Sequence, residues 1–306
     1  MVKKAEIREK KKSGRPREHF GDRVFVAFCY VFITLLGVVC LYPFLNVVAK
    51  SFSSDEAVYA GKVLGVWPVG FSFNSYQYIL NSQRYLVTMK NTVFVTLIGT
   101  ALSLLFTVFV SFAVSRRDMP GSKIIMFAYI FTMMFSGGMI PTYLAVSKIG
   151  LLDSHWSLIL PGLVSAYNVI LMRNYIQGLP EELEDSASID GASQFQLMWK
   201  IILPLTLPSL ATIGLFCCVG YWNTYFNAVI YINSRDKAML QVYLREVLIS
   251  TQSANLDAGM DELANMASSE SVQGACVVAT ALPIILVYPW LQKYYVKGMT
   301  LGAVKG

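Results

Sequence analysis

Six apolar runs, each long enough to cross a bilayer, recur along the chain at about residues 24–49, 89–115, 124–146, 156–175, 205–232 and 272–295. A helix needs about 20 such residues to span the roughly 30 Å hydrocarbon core. Inside that core every backbone amide must find its partner within the protein. The composition agrees: 55% of the 306 residues are hydrophobic and 14% charged, the latter far below the roughly 25% of a soluble domain. Mean hydropathy is +0.51. The reading is an all-α integral membrane protein with six transmembrane helices, a basic tail over 1–23 and a transmembrane domain over 24–306. Ser136–Met139 ("SGGM") and Pro141 interrupt the third run, as a packing kink or as a break beside a cavity.

Basic residues set the orientation. With six spans both termini share a side. That side carries 17 of the 25 Lys and Arg, nine of them within 1–23, and the other side carries eight. Both termini are therefore expected in the cytoplasm. The first run is too long for a signal peptide and has no small-residue cleavage site, so it reads as a retained helix. Cys29, Cys40, Cys217, Cys218 and Cys276 all fall in apolar runs without metal-ligand spacing, and read as small buried hydrophobes. His19 and His155 are too far apart for a metal site. No phosphate-binding loop, nucleophile elbow or zinc-binding helix occurs, and no catalytic residues are assigned. Ionisable residues within the runs are nearly absent, Arg173 being the main exception. A proton- or sodium-driven carrier needs such groups near the midplane, so transport energy is expected from elsewhere. The basic balance is topological and does not point to nucleic acid.

One polar stretch stands apart. "PEELEDSASIDGASQFQLMWKIILPLTLP" (180–208) packs Glu181, Glu182, Glu184, Asp185 and Asp190 into ten residues between two apolar runs. Gly178 suits a left-handed end to the preceding helix. Pro180 suits the first position of a new one, with acidic residues at its positive end. Leu183 and Ala187 share a face, and Gly191 breaks the run. Ser193 with Gln196 is a capping-box pattern, and Ala192 and Leu197 are placed for a weak staple. Phe195, Met198, Trp199 and Ile202 follow at helical spacing and define an apolar face. Leu203 precedes Pro204, which disfavours further helix. The expectation is two short helices hinged at Gly191, docked on the chain's own helices, on the membrane interface or in a partner's groove.

These residues resemble the "EAA…G…I-LP" loop of permeases from binding-protein-dependent ABC importers. Asp185, Ser186 and Ala187 stand where that family has Glu-Ala-Ala, and Gly191, Ile201, Leu203 and Pro204 keep its spacing. "KNTVFVT", "RRDMPGS", "YWNTYFNAVIYI" and "ALPIILVYPWLQKYYVKGMTLGAVKG" are similar to the carbohydrate-uptake branch, and within it to the MalG-like member of a permease pair. "GGMIPTYL" and "MASSESVQGA" resemble a subgroup associated with complex oligosaccharides or uronates. Asp185 departs from the family's Glu, keeping the charge but shortening its reach by one methylene. The resemblance implies the type I ABC importer permease fold in a bacterial cytoplasmic membrane. It also implies a second, homologous permease as partner, two copies of a cytoplasmic ATPase that bind the ATP and Mg, and an extracellular solute-binding protein delivering a sugar. This chain itself would hold no cofactor. The loop would be the ATPase-coupling element, with Glu184, Asp185, Ser186, Ala187, Asp190, Gly191, Phe195, Ile201, Leu203 and Pro204 as its site residues.

For the substrate pathway the fifth run offers Trp222, Asn223, Tyr225 and Asn227, amides and rings suited to sugar hydroxyls and flat sugar faces. Asn223 and Asn227, four apart, would share a helix face with Tyr225 turned away. An interfacial aromatic belt is the competing reading of these residues. Asn174, Tyr143 and Ser136–Gly138 are weaker candidates. Leu240, Tyr243, Leu244, Val247 and Leu248 lie on one face of a helix expected on the membrane or on the partner permease. The leading function is a sugar importer permease. An amino-acid or peptide importer permease would share the coupling loop, and a secondary transporter or channel is the rival from a different class.

Overall fold

The computed structural model describes residues 20–116, 118–254 and 270–303. Residues 1–19 of the basic tail, Arg117, residues 255–269 and the last three residues lie outside that description. Among the described residues the chain is helical, with one isolated antiparallel bridge between Ser53 and Phe71.

The helices in chain order are α1 (Phe20–Ser51), the short α2 (Asp55–Tyr59) and α3 (Asn74–Asn81), then α4 (Gln83–Ser115), α5 (Ser122–Met134) and α6 (Met139–Lys148). They continue with α7 (Trp156–Ile159), α8 (Ala166–Ile176), α9 (Glu182–Ile189) and α10 (Gln194–Gln196), the last running into a π-helical turn at Leu197–Ile202. After α11 (Leu203–Leu205) come α12 (Leu207–Trp222), α13 (Phe226–Tyr231), α14 (Leu240–Ala254) and α15 (Glu270–Ala303).

Among the described residues, three helices are long and apolar enough to cross a membrane: α1, α4 and the first part of α15, Glu270–Val287. Three bent pairs complete six candidate spans if each pair crosses once. The pairs are α5 with α6 at 117°, Trp156–Gly162 with α8 at 49°, and Gln194–Leu205 with α12 at 80°. The first of these bends falls at the predicted interruption. Gly138 has φ +85°, its N–H donates to Ser136 Oγ, and Thr142 Oγ1 donates to the Gly138 carbonyl. The Ser136 hydroxyl satisfies an amide at the helix start, and Thr142 adds a second bond to a carbonyl that also accepts the Thr142 amide.

α4 is the central strut. Its buried seam reads Thr88, Thr92, Thr96, Gly99, Ser103, Thr107, Ser111 and Ser115, small residues three or four apart. Such residues let backbones approach closely where no hydrophobic force draws helices together. α12 and α8 pack on this strut, and α15 packs on α12 and on α1. α14 packs on α4 and α15. Its Leu240 and Tyr243 are buried in a core with Ile79, Trp222 and Cys276, with Leu244 and Val247 against it and Leu248 exposed. The expected membrane or partner face of α14 is therefore turned largely onto the chain's own helices.

α1 is the opposite case, with only Ala49 and Ser51 buried. The cysteine expectation holds only for Cys276, because Cys40 is exposed on α1 and the other three are half-buried. α1 is held at its C-terminal end. Lys50 Nζ lies 2.5 Å from Glu270 Oε2, and Gly274 of α15 sits under α1. A Cβ on Gly274 would come 2.9 Å from the Val47 carbonyl oxygen and 3.3 Å from the Ser51 nitrogen. Both are backbone atoms that cannot rotate away. Gly274→Leu is expected to cost about 1–3 kcal/mol and to lower the thermal denaturation midpoint in detergent by several degrees. Gly37→Ala, where a Cβ meets nothing within 4 Å, should leave it unchanged.

Candidate functional site

The polar loop folds as two short helices about a glycine. α9 starts at Glu182, two residues later than Pro180 would place it. The preceding α8 does not end on a left-handed Gly178. It closes instead with tight turns, Gly178 N to Tyr175 O and Leu179 N to Ile176 O. α9 ends on Gly191, at φ +74°. The Gly191 amide donates to the Ser188 carbonyl and the Ala192 amide to the Ala187 carbonyl, the Schellman pairing that satisfies a helix's last carbonyls. The predicted capping box is complete: the Gln196 amide donates to Ser193 Oγ and the Ser193 amide to Gln196 Oε1.

The second helix differs from its 3.6-residue reading. Leu197–Ile202 wind as a π-turn and helix continues through Leu203 and Pro204 to Leu205. The wider turn shifts the faces. Leu197, Met198 and Ile202 are buried, while Phe195 and Trp199 face outward and pack against each other, with Trp199 edge-on to Phe109 of α4. Ile201 and Leu203 are half-buried against the same core, and Pro204 is exposed.

That core joins the loop to three helices. Ala187, Leu197, Met198 and Ile202 form one buried cluster with Val108 and Phe112 of α4, Met172 and Ile176 of α8, and Ile213 of α12. Polar contacts close its edge. Arg173 Nε donates to the Val114 carbonyl at 3.2 Å and Gln177 Nε2 to the Ser115 carbonyl at 3.1 Å. They cap carbonyls that the end of α4 leaves without helical partners. Arg116 pairs with Glu184 and lies 3.4 Å from Asp118. Glu184 and Ala187 thus tie the loop inward. Asp185, Ser186, Asp190, Phe195 and Ile189 are exposed, Ile189 at 86% of its free surface. Asp185 has no ion-pair partner among the described residues.

At the other end of α12 the helix stops at Trp222, and α13 begins only at Phe226. Asn223 and Asn227 therefore do not share a continuous helix face. Trp222 is buried and its Nε1 donates to the Thr280 carbonyl at 3.3 Å, so it belongs to the core rather than to a pathway. Asn223 Oδ1 accepts from Gln241 Nε2 at 3.2 Å, and the Arg245 guanidinium lies over the Tyr225 ring at 5.4 Å. Asn227 and Thr224 line a cavity of about 500 Å³ between α4, α7, α8 and α12. Ser103, Ser157, Ser165 and Asn168 supply other polar groups, and Tyr167, Phe216 and Tyr221 its flat faces. Tyr221 and Ser103 hydroxyls share a hydrogen bond of 3.0 Å. These lining residues escaped the sequence reading because single hydroxyls and amides inside an apolar run carry no local pattern. The 3–4 spacing of Thr, Gly and Ser along α4 was the available signal. Asn174 and Ser136–Gly138 do not reach this cavity, and Tyr143 stacks instead on Tyr231.

A carboxylate clamp ties the segments before α7 and before α14. Asp153, at φ +55°, accepts from the amides of Asn233 and Ser234 at 3.0 and 2.8 Å, from Ser234 Oγ at 2.5 Å and from Lys237 Nζ at 2.9 Å. Asn91 and Thr92, from "KNTVFVT", hold the same region: Asn91 Nδ2 donates to the Asp236 and Ala238 carbonyls, and Thr92 Oγ1 accepts from the Leu240 amide.

This is the fold of a membrane permease: helices around a polar cavity, with a structured polar loop fastened to their far ends. The chain belongs to the family described as the binding-protein-dependent transport system inner membrane component, whose model matches residues 120–301. It is 41% identical over 287 residues to the polygalacturonan/rhamnogalacturonan transport system permease protein YtcP of Bacillus subtilis, covering 93% of this chain and 99% of that one. It is 29% identical over 281 residues to the arabinooligosaccharides transport system permease protein AraQ of Halalkalibacterium halodurans, covering 90% and 94%. A solved bacterial ABC transporter, involved in import of the acidic polysaccharide alginate, has a chain that superposes with TM-score 0.84 at 34% identity. The match covers 92% of this chain and all of that one. The protein is thus a multi-pass component of a bacterial cytoplasmic membrane with the type I ABC permease fold.

The Ser234 hydroxyl first, then its amide and the Lys237 ammonium, hold the Asp153 carboxyl well below the usual carboxylate range. A depressed value means the clamp's contribution is complete above about pH 4 and is lost as pH falls further. Asp153→Asn should be less stable than wild type at neutral pH in detergent, and the difference should shrink below about pH 4.

Proposed function

We propose that the chain is the transmembrane permease subunit of an ATP-driven importer that moves an oligosaccharide, delivered by an extracellular binding protein, by alternating access. A homologous permease would complete the translocation pathway, and two copies of a cytoplasmic ATPase would bind the ATP and Mg and drive the cycle. The observation that carries the reading is the mechanical continuity of the loop. Ala187, Leu197, Met198 and Ile202 share one buried core with α4, α8 and α12, so force applied to the loop moves three helices rather than a flexible tether. The outward Ile189, Phe195 and Asp185 offer a compact apolar and acidic surface for an ATPase cleft.

The cavity lies on the same helices, about 500 Å³ with amides, hydroxyls and aromatic faces, the mixture a polyhydroxylated ring with apolar faces requires. It adjoins the break at 223–225, and interrupted backbone at membrane depth is tolerated where it lines a cavity. The two named relatives and the solved neighbour are described as serving oligosaccharides or polysaccharides, which favours a sugar over a peptide.

Ile189→Glu should remove the apolar contact, and Gly191→Val should force a β-branched residue into a left-handed conformation, a cost of about 1–2 kcal/mol. Each is expected to reduce co-purification of the ATPase and to lower ATP-dependent sugar uptake in proteoliposomes at least tenfold, with membrane insertion unchanged. Wild-type coupling in both variants, or sugar flux without ATP, would sink the proposal.

A further inference from the structure

Two arginines lie over tyrosine rings where α14 meets its neighbours, and they differ in one respect. Arg84 lies over the Tyr243 ring at 5.9 Å, and its guanidinium edge is taken by Glu246. Arg245 lies over the Tyr225 ring at 5.4 Å, and no carboxylate among the described residues occupies its edge. A cation over a ring is drawn to the face of the ring. A guanidinium also carries N–H groups in a fork that matches a carboxylate bidentately. Glu246 occupies that fork on Arg84. On Arg245 no carboxylate among the described residues does so.

The place of the second pair gives it a role. Tyr225 lies between Thr224 and Asn227, both of which line the cavity. Gln241, one turn before Arg245 on α14, is bonded to Asn223 at 3.2 Å. Asn223, Gln241, Tyr225 and Arg245 therefore form a polar cluster at the α12–α13 break. None of the described residues lining the cavity is a carboxylate or a base. Arg245 does not itself line the cavity; through Tyr225 it stands next to the 224–227 stretch that does. On the topology read from the basic residues, this is the outer, entry end.

The geometry points to Arg245 as a specificity-determining residue that binds a carboxylate of an acidic, uronate-bearing oligosaccharide, with Tyr225 as the positioning residue that holds the guanidinium. The inference rests on the sugar-importer reading and narrows its substrate class. Neutral sugar rings would use the hydroxyls and amides of the cavity. An acidic ring would add one charge-assisted, bidentate contact, which is stronger than a neutral hydrogen bond.

The test uses the complete importer with its binding protein in proteoliposomes. Uptake is measured for a short oligogalacturonate and for its carboxyl-reduced, neutral counterpart. Arg245→Gln should raise the half-saturating concentration of the acidic sugar about tenfold, the loss of one hydrogen bond to a charged group. The neutral sugar should change less than about twofold. Arg245→Lys, which keeps charge but not the fork, should recover part of the loss, and Tyr225→Leu should weaken acidic uptake to a smaller extent. Arg84→Gln should not alter the ratio of the two sugars. Equal effects of Arg245→Gln on both sugars, or none on the acidic one, would overturn the inference while leaving the importer reading intact. If wild type carries only the acidic sugar, a defect that Arg245→Lys does not relieve overturns it. Uptake of neither sugar by wild type would instead overturn the sugar reading itself.

Discussion

A polypeptide in hydrocarbon has no water with which to satisfy its amides, and this constraint organises the chain. Helix is the default among the described residues, and at three departures from it side chains bond the exposed backbone. At 135–138 these are the Ser136 and Thr142 hydroxyls. At the end of α4 they are Arg173 and Gln177, reaching from α8 to the carbonyls of Val114 and Ser115. At 223–225 Thr224 Oγ1 donates to the Gly220 carbonyl and Asn223 Nδ2 to that of Val219. The costs of unsatisfied backbone in a low-dielectric medium, several kcal/mol per group, exceed any local preference for a turn. The breaks are consequently few, and two of them coincide with the features assigned to function.

The same economy explains how the loop is held. The ion pair between Arg116 and Glu184 is partly exposed, and pairs of that kind contribute about 0–1 kcal/mol. The buried side chains of the shared cluster each contribute roughly 1.5–3 kcal/mol where they are removed from water. Packing fastens the loop, and the ion pair and carbonyl caps fix the angle at which it sits. Side chains that leave this core, Asp185 and Ile189 among them, are free to be read by something else.

Much of this was legible in the sequence. The apolar runs, Gly191, the Ser193–Gln196 box and the inward set at Ala187 follow from local rules that tertiary structure does not override. The misreadings have a common cause. A 3.6-residue wheel places Phe195 and Trp199 with Met198 and Ile202, but a π-turn rotates them out. The wheel also puts Asn223 and Asn227 on one face, but the helix ends between them. Leu203–Pro204 was expected to stop a helix, yet the π-turn upstream lets helical backbone pass through it. In each case the winding departs from the regular helix, through a π-turn or through an early end. Neither leaves a period to detect. The small-residue seam of α4 was hidden for a related reason: Thr and Ser in an apolar run look like dilution of the signal rather than a second signal.

The exposed first helix has a geometric consequence. At 32 residues and about 1.5 Å of rise each, α1 is roughly 48 Å long, against a hydrocarbon core of about 30 Å. It must either lie steeply oblique or project several turns beyond the lipid. The contacts that hold it lie in its C-terminal third: Tyr42 and Asn46 donate to the carbonyls of Leu64, Val63 and Gly65, and Ala49 and Ser51 are buried near Gly274. The exposed remainder has no core of this subunit against it. The course of that part is a property of the bilayer thickness and of whatever stands beside it, and would change with either.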